Sequence, residues 1–234
     1  MPKKQKIIIS VTNDLVVDQR VAKVCQTLTE MDFEIVLVDD CGPDNSWEVI
    51  KDQASIHSFV KGIRLSRNFG QHYAISAGIK KAKGDNIVLM DCDLQDNPKD
   101  IIKLLNEREK GFEIVFTKRL KRKHGIFKSF NSFLYNKLFT IFSEKKYNVN
   151  AGSLVLFSKK VAREFNKLEE KDRLYIQLLK WVGFKTTTIE VEHNERYEGK
   201  SNYNFYAVLL HRRFCTKRFY KNEITFLKTS SRVQ

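Results

Sequence analysis

Short apolar runs alternate along the chain with segments in which apolar residues recur every three or four positions. The first pattern is typical of buried strands and the second of amphipathic helices. Strands are predicted over residues 7–11, 33–38, 62–66, 87–90, 113–117, 151–157 and 186–191. Helices are predicted over residues 17–31, 47–58, 71–83, 100–110, 158–168 and 172–182. This order predicts a mostly parallel sheet with helices on both faces.

The predicted strand over residues 87–90 runs directly into an acidic segment. Asp91, Asp93 and Asp96 follow it, together with Gln95. Open α/β sheets bind ligands at the carboxyl ends of their strands. Oxygen ligands at this density suit a hard cation such as Mg²⁺ or Mn²⁺, which usually also holds a substrate phosphate. The alternative is a polar loop before the next helix, with Asp96 as the helix cap.

A second acidic strand end is formed by Asp39 and Asp40, and a Gly-Pro turn follows it. Between the two acidic ends, residues 67–70 read Arg-Asn-Phe-Gly and precede a predicted helix. That helix carries small residues at Ala74, Ser76, Ala77 and Gly78. Small residues let a ligand or a neighbouring backbone approach closely, and ordinary packing of the helix on the sheet explains them equally well.

The cysteines indicate a reduced protein. All four are far apart and form no C-x-x-C pair, which argues against a disulfide framework or a structural zinc site and is typical of a reducing cytoplasm. Cys92 lies between Asp91 and Asp93. Because side chains alternate along a strand end, we expect Cys92 to point into the core and away from a bound ion.

Charge and length narrow the class of protein. The 234 residues carry a formal net charge of +14, and 42% are hydrophobic and 30% charged, which is typical of a globular chain. The charge indicates a polyanionic partner: a phosphorylated substrate, an anionic membrane surface or a nucleic acid. No stretch approaches the roughly twenty apolar residues of a membrane span.

The densest basic cluster lies at residues 118–128, after a predicted strand, and aromatic residues interleave with the downstream sequence up to residue 142. This pattern favours a phosphate-binding loop beside an interfacial helix. A solvated loop followed by a core helix is the alternative. A later polar loop carries Arg196 and Lys200 close to Gly199.

Four of these segments, in this order, resemble the inverting family-two glycosyltransferases of the GT-A fold. The subgroup that they most resemble includes dolichyl-phosphate mannose synthase and bacterial polyprenyl-phosphate glycosyltransferases. The segments are VDDCGPD at residues 38–44, LSRNFG at 65–70, DCDLQD at 91–96 and R-x-x-GKS at 196–201. The resemblance implies a Rossmann-like three-layer α/β/α domain over residues 1–204. A basic tail over residues 205–234 follows.

The resemblance also implies a role for each part of the site. The donor is expected to be a nucleoside-diphosphate sugar, with Asp39 and Asp40 beside the base and ribose. The donor site is further expected to include Arg67, Asn68, Gly78 and Lys200. A Mg²⁺ or Mn²⁺ ion on Asp91, Asp93 and Gln95 would bridge the diphosphate and act as a Lewis acid. The cations expected to neutralise phosphates are Arg119, Arg122, Arg196 and Lys200. Asp91, Asp93, Arg119 and Arg196 form the expected catalytic set.

Two regions depart from the pattern of this family. Residues 12–21, TNDLVVDQRV, resemble the start of family-four glycosyltransferases, which have the GT-B fold. Close relatives usually continue into membrane helices, whereas residues 205–234 are rich in Lys and Arg. Either this form lies peripherally on anionic lipid or it is truncated relative to them.

A third departure concerns the acceptor. Residues 150–153 read Asn-Ala-Gly-Ser where relatives often carry Asp-Ala-Gly-Asp. A hydroxyl acceptor needs a general base, and Asn150 cannot serve as one. A phosphate acceptor is already ionised at neutral pH, which favours a polyprenyl phosphate. Other candidate bases are Asp172, Glu192 and Glu195.

The expected partners are therefore the sugar donor, a polyprenyl-phosphate or glycan acceptor and an anionic membrane surface. The expected location is cytoplasmic, peripheral on the inner face of the membrane. Nucleic acid is not expected, because the acidic strand ends would repel its backbone. The alternatives are a basic, non-enzymatic adaptor and an inactive hybrid of glycosyltransferase pieces.

Overall fold

The computed structural model describes residues 5–11, 17–28, 31–119, 151–170 and 174–192. The strands are β1 (Gln5–Val11), β2 (Phe33–Asp39), β3 (Val60–Arg64), β4 (Asn86–Asp91), β5 (Ile114–Arg119), β6 (Ala151–Ser158) and β7 (Thr186–Val191). The helices are α1 (Val17–Thr27), α2 (Ser46–Ile56), α3 (Gln71–Lys81), α4 (Asp100–Glu109), α5 (Lys159–Lys167) and α6 (Tyr175–Trp181).

The strands form one seven-stranded sheet in the order β3-β2-β1-β4-β6-β5-β7. β6 runs antiparallel to its neighbours β4 and β5, and the other paired strands are parallel. The predicted mostly parallel sheet is confirmed. The strand order reverses at β1, which lies between β2 and β4. Such a switch point opens a crevice at the carboxyl ends of the strands.

Two hydrophobic cores cover the two faces of the sheet. α1, α2 and α4 pack on one face and α3, α5 and α6 on the other. β4 serves both: Val88 and Met90 enter the first core, while Ile87 and Leu89 enter the second. The alternation follows from the two-residue repeat of a strand, and burial on both faces explains why β4 reads as a continuous apolar run.

Several predicted boundaries differ from the structure by two to four residues, and two of them show a local cause. α1 ends at Thr27, because the N–H of Met31 bonds the carbonyl of Leu28 and closes a turn that leads into β2. β3 begins two residues before Gly62, which lies inside the strand where α2 approaches closely. A Cβ at Gly62 would lie 2.6 Å from Cγ2 of Ile50. The glycine therefore marks a close approach rather than the start of the strand.

The longest described helices have 11 residues. Within the described ranges, none is long and apolar enough to cross a bilayer.

Candidate functional site

The acidic ends of β2 and β4 lie at the same edge of the sheet. Their ends are level, because Asp39 pairs with Val11 of β1 and Asp91 pairs with Ser10. Adjacent strands lie about 4.8 Å apart, which separates the two acidic backbones by about 10 Å. The structure thus brings both acidic ends to the crevice beside the switch point.

Each acidic end is followed by a non-glycine residue in the left-handed region. Cys41 has φ 56° and Leu94 has φ 60°. This conformation is uncommon for residues with a side chain and clusters at functional sites. It turns the backbone sharply after each strand, and in both places the carboxylates remain at the edge of the sheet.

Asp40 fixes the turn that precedes α3. Its two carboxylate oxygens accept hydrogen bonds from the backbone N–H of Phe69, at 2.8 Å, and of Gly70, at 2.7 Å. Gly70 has φ 96°, which strongly favours glycine at this point of the turn. Burial raises the pKa of Asp40, and the two N–H donors oppose that rise.

Asp39 is buried and has a cationic partner. Its Oδ2 lies 3.1 Å from Nε of Arg64, and its Oδ1 accepts from the N–H of Gly42 at 3.3 Å. Burial raises the pKa of Asp39, and the hydrogen bond from Gly42 and the charge of Arg64 act against it. The guanidinium of Arg64 also lies 5.8 Å from the ring centroid of Trp47. Arg64 escaped the sequence analysis, since an arginine at the end of a strand carries no signal of its own.

The end of β4 continues into residues 91–96, here called the acidic loop. Hydrogen bonds from several described residues reach its carboxylates. Nε2 of Gln71 donates to Asp91 Oδ1 at 2.9 Å, and Oγ of Ser153 donates to Asp96 Oδ2 at 2.7 Å. The backbone N–H of Gln95 donates to Asp93 Oδ1 at 3.2 Å. α3 and the start of β6 therefore both contact this loop.

The carboxylates of the acidic loop repel one another. Burial raises the pKa of Asp91 to about 7, and the charges of Asp96 and Asp93 contribute to the rise. The hydroxyl of Ser153 and the charge of Arg119, at the end of β5, act in the opposite direction. Negative charge therefore accumulates at this loop, and Arg119 is one of the cations close enough to affect it.

The acidic loop fits a hard divalent cation. Asp91, Asp93 and Gln95 offer only oxygen, the donor that Mg²⁺ and Mn²⁺ prefer. Within the described ranges, no three His, Cys, Asp or Glu side chains converge as a metal cage. This agrees with the usual behaviour of Mg²⁺, which takes one or two carboxylates and completes its shell with substrate phosphates and water.

The structure also places several other predicted residues. Arg67 and Asn68 are exposed on the turn before α3, with the Arg67 guanidinium 4.7 Å from the ring centroid of Phe69. Gly78 is buried in the second half of α3. Cys92 is buried among the residues of the first core, as predicted. The predicted residues outside the described ranges are Arg122, Asn150, Asp172, Glu195, Arg196 and Lys200.

The prediction that Asp96 caps the next helix is wrong. Lys99 occupies the cap position of α4 without a side-chain bond, and Asn97 Oδ1 accepts from its N–H. Asp96 is buried and accepts from Ser153 of β6 instead. Sequence neighbours suggested the cap, whereas the actual partner lies 57 positions away along the chain.

Two further contacts of the acidic loop escaped the sequence analysis. Gln71 begins α3 directly after Gly70, and this position at the sheet edge was an available signal. Arg20 is buried on α1 and donates to the backbone carbonyl of Asp96 at 2.7 Å. Its spacing from Val17 and Val24 places it on the apolar face of that helix. That spacing could have predicted from the sequence that Arg20 is buried.

Comparison with known proteins identifies a family. The family described as "Glycosyl transferase family 2" matches residues 6–165. An uncharacterized glycosyltransferase of Bacillus subtilis, YkcC, is 33% identical over 201 residues, covering 84% of this chain and 62% of the relative. The undecaprenyl-phosphate 4-deoxy-4-formamido-L-arabinose transferase of Proteus mirabilis is 32% identical over 192 residues, covering 82% of this chain and 59% of the relative. The chain thus spans about three fifths of the length of these relatives.

Solved structures confirm the predicted GT-A fold. The mannosyltransferase PcManGT of Pyrobaculum calidifontis, in complex with GDP-Man and Mn²⁺, matches with a TM-score of 0.60 and 15% identity, covering 91% of this chain and 61% of that one. Glucosyl-3-phosphoglycerate synthase of Mycobacterium tuberculosis, in complex with Mn²⁺, UDP and glucosyl-3-phosphoglycerate, matches with a TM-score of 0.58 and 12% identity. That match covers 90% of this chain and 76% of the synthase.

Proposed function

The chain belongs to glycosyl transferase family 2, and from this premise we propose that it transfers a sugar from a nucleoside-diphosphate sugar to a polyprenyl phosphate or a cell-surface glycan precursor. The transfer is metal-dependent and inverts the anomeric carbon. One observation carries the proposal: the acidic loop lies beside the turn held by Asp40, at the carboxyl edge of the sheet. Gln71 joins the two, since it begins α3 after that turn and donates to Asp91.

The donor is held at this edge. Asp91 and Asp93, with Gln95, would bind Mg²⁺ or Mn²⁺, and the ion supplies charge stabilisation to the departing nucleoside diphosphate. Arg119 lies close enough to Asp91 to affect its carboxyl and is well placed to bind a phosphate oxygen. The residues proposed for the nucleoside and the remaining phosphate contacts are Asp39, Asp40, Arg67, Asn68, Gly78, Arg196 and Lys200.

Asp40 has two tasks in this proposal. Both of its oxygens already hold the turn before α3, but a carboxylate has about four acceptor positions in total. One remaining position is enough for a donor group of the base or ribose. The nucleoside is therefore bound partly by Asp40 itself and partly by the turn that Asp40 holds in place.

A polyprenyl phosphate is the acceptor that the chemistry favours. Its phosphate is largely ionised at neutral pH and attacks without a general base. Relatives that are 32% and 30% identical to this chain over the aligned residues are named as undecaprenyl-phosphate sugar transferases. The net charge of +14 suits an anionic lipid surface. The protein accordingly acts at the cytoplasmic face of the membrane.

A transfer assay tests the function. The full chain is incubated with UDP-, GDP- and dTDP-sugars, a short-chain polyprenyl phosphate, and Mn²⁺, Mg²⁺ or EDTA, and nucleotide release and lipid product are measured. We expect turnover with one donor, dependence on the metal, and no product with the corresponding unphosphorylated polyprenol. The anomeric configuration of the product, determined by NMR, should be opposite to that of the donor.

The matched variants are Asp91→Asn and Asp85→Asn. Asp85 is an exposed aspartate just before the other end of β4, so its substitution removes the same charge away from the site. Asp85→Asn should transfer at the wild-type rate. Absence of transfer with every donor, or transfer unaffected by EDTA and by Asp91→Asn, would contradict the proposal. A nucleotide that binds without turnover would favour the inactive hybrid.

A further inference from the structure

Arg20 is a buried cation behind the acidic loop. It lies on α1 with a relative exposure of 0%, and its Nη1 donates to the carbonyl of Asp96 at 2.7 Å. Neither Nε nor Nη2 has a hydrogen-bond partner among the described residues. In the described part of the chain, the guanidinium is therefore held by one hydrogen bond, and that bond is to the acidic loop.

The surroundings of Arg20 are acidic. Burial lowers its pKa, while Cys92, Asp96, Asp93 and Asp91 all favour its charged form. An arginine remains protonated in proteins. The guanidinium is therefore a permanent positive charge beside the loop. It belongs to α1, which covers the face of the sheet towards which Cys92 points, whereas Gln71 belongs to α3 on the other face.

Packing alone does not explain an arginine at this position. The neighbouring inward positions of α1 are Val17, Val21 and Val24, all buried in the first core. Burying a charge with incompletely bonded N–H groups is destabilising, and apolar residues of similar volume often replace such groups without loss of stability. An arginine at this position therefore indicates a role beyond core packing.

Arg20 also belongs to the segment whose sequence departs from the family, residues 12–21. Through Arg20 this segment contacts the loop that carries the candidate metal ligands. The segment that departs from the family pattern is thus connected, through Arg20, to the candidate metal site.

We propose that Arg20 is a positioning residue, the fixed counter-charge of the acidic loop. It holds Asp96 and offsets the mutual repulsion of the carboxylates whenever no divalent cation is bound. Because a fixed and an exchangeable cation act on the same carboxylates, Arg20 also weakens the binding of the divalent cation and helps it to leave with the nucleoside diphosphate. The inference rests on the proposed function, in which the acidic loop binds metal.

Two substitutions separate the charge from the hydrogen bond. Arg20→Gln keeps an N–H donor but removes the charge, and Arg20→Lys keeps the charge. Mn²⁺ affinity is measured by calorimetry on the full chain, both without nucleotide and in the presence of UDP, GDP or dTDP. Arg20→Gln should bind Mn²⁺ at least about tenfold more tightly, because a nearby unit charge that repels the ion has been removed. Arg20→Lys should remain within about twofold of the wild type.

The matched control for net charge is Arg163→Gln, an exposed arginine on α5. It should leave Mn²⁺ affinity unchanged. The control for packing is Val24→Ala, which opens a cavity one turn along α1 and should lower stability without changing Mn²⁺ affinity. These two controls distinguish a local counter-charge from a general effect of charge or of core stability.

Hydrogen exchange of the loop amides gives a second measurement. In metal-free protein, the amides of residues 92–96 should exchange faster in Arg20→Gln than in the wild type, and saturating Mn²⁺ should remove the difference. Unchanged or weaker Mn²⁺ binding in Arg20→Gln, or equal exchange without metal, overturns the role of Arg20. If the wild type binds no Mn²⁺ even in the presence of nucleotide, the proposed metal site fails and this inference fails with it. A wild type that binds Mn²⁺ beside an Arg20→Gln that binds it equally refutes the inference alone.

Discussion

The ends of β2 and β4 are built alike, but their aspartates have different partners. Each ends in buried or partly buried aspartates followed by a left-handed residue, Cys41 or Leu94. At β2 the partners are inside the protein: Asp40 accepts two backbone N–H groups and Asp39 faces Arg64. At β4 the carboxylates accept hydrogen bonds from Gln71 and Ser153, but they also repel one another, and burial together with this repulsion raises the pKa of Asp91 to about 7.

The difference indicates that the end of β2 stabilises the fold as well as contributing to the proposed nucleoside site, whereas the end of β4 serves mainly the proposed metal. Carboxylates that accept backbone N–H groups stabilise the fold. Carboxylates that repel one another oppose folding unless a cation offsets the repulsion, which is the task proposed for Arg20 and for the divalent ion. A substitution at the end of β2 should therefore lower stability more strongly, and a substitution at the end of β4 should lower activity more strongly. Four substitutions test this contrast, in order of decreasing effect.

Asp91→Asn should reduce sugar transfer by on the order of 10³-fold, because a bound cation contributes several kcal/mol to the stabilisation of the leaving group. The same change removes one of the repelling charges of the acidic loop. The free energy of unfolding without metal, measured in urea, should therefore stay the same or rise. A marked loss of stability would contradict the contrast between the two strand ends.

Asp40→Asn should show the opposite proportion. An amide has one acceptor oxygen, so one of the two N–H groups, of Phe69 or Gly70, loses its carboxylate partner. The free energy of unfolding should fall by about 2 kcal/mol. Urea titration measures it, with the exposed Asp52→Asn on α2 as the control for lost charge. A fully stable Asp40→Asn would show that these bonds are not what holds the turn.

Gln71→Ala removes the link between the two ends. Its amide donates to Asp91, and a hydrogen bond to a charged group contributes about 1.5–3 kcal/mol. We expect the apparent KM for the metal–nucleotide complex to rise roughly tenfold, with a smaller change in kcat. Steady-state kinetics with varied Mn²⁺ measures both. His72→Ala, one position along α3, is the control and should alter KM less.

Arg64→Met should give the smallest effect of the four substitutions, a loss of stability that depends on pH. Arg64 is 38% exposed, so that solvent screens its charge, and the loss of stability should be only about 1 kcal/mol at pH 7. Without Arg64 the folded-state pKa of Asp39 rises further, so the loss is complete at neutral pH. It should disappear as the pH falls through the folded-state pKa of Asp39, which is raised above 3.8, because Asp39 is then protonated in both folded proteins. Urea unfolding at about pH 3.5 and at pH 7 tests the sign.

Patterns that are local in sequence predicted much of this molecule. The apolar runs predicted the strands, and the carboxyl ends of parallel strands brought Asp39 and Asp91 to one edge. Cys92 was placed correctly because alternation along a strand is geometric. The order of the four motifs along the chain was sufficient to predict the family.

Contacts between distant segments could not be predicted in the same way. Ser153 reaches Asp96 because β6 runs antiparallel beside β4, a pairing that no local pattern shows. Arg20 reaches the same residue from α1, 76 positions away. Each of these contacts depends on how the sheet and the helices pack, and the sequence of one segment alone does not predict it.

The central claim is that the acidic loop holds a divalent cation against a nucleoside diphosphate. Electron–nuclear double resonance of Mn²⁺ tests it directly, on the full chain with UDP, GDP or dTDP. We predict ³¹P hyperfine coupling in the wild type and in Asp85→Asn, and its loss in Asp91→Asn. A nucleotide that binds equally well in EDTA, or ³¹P coupling that persists unchanged in Asp91→Asn, would contradict the claim.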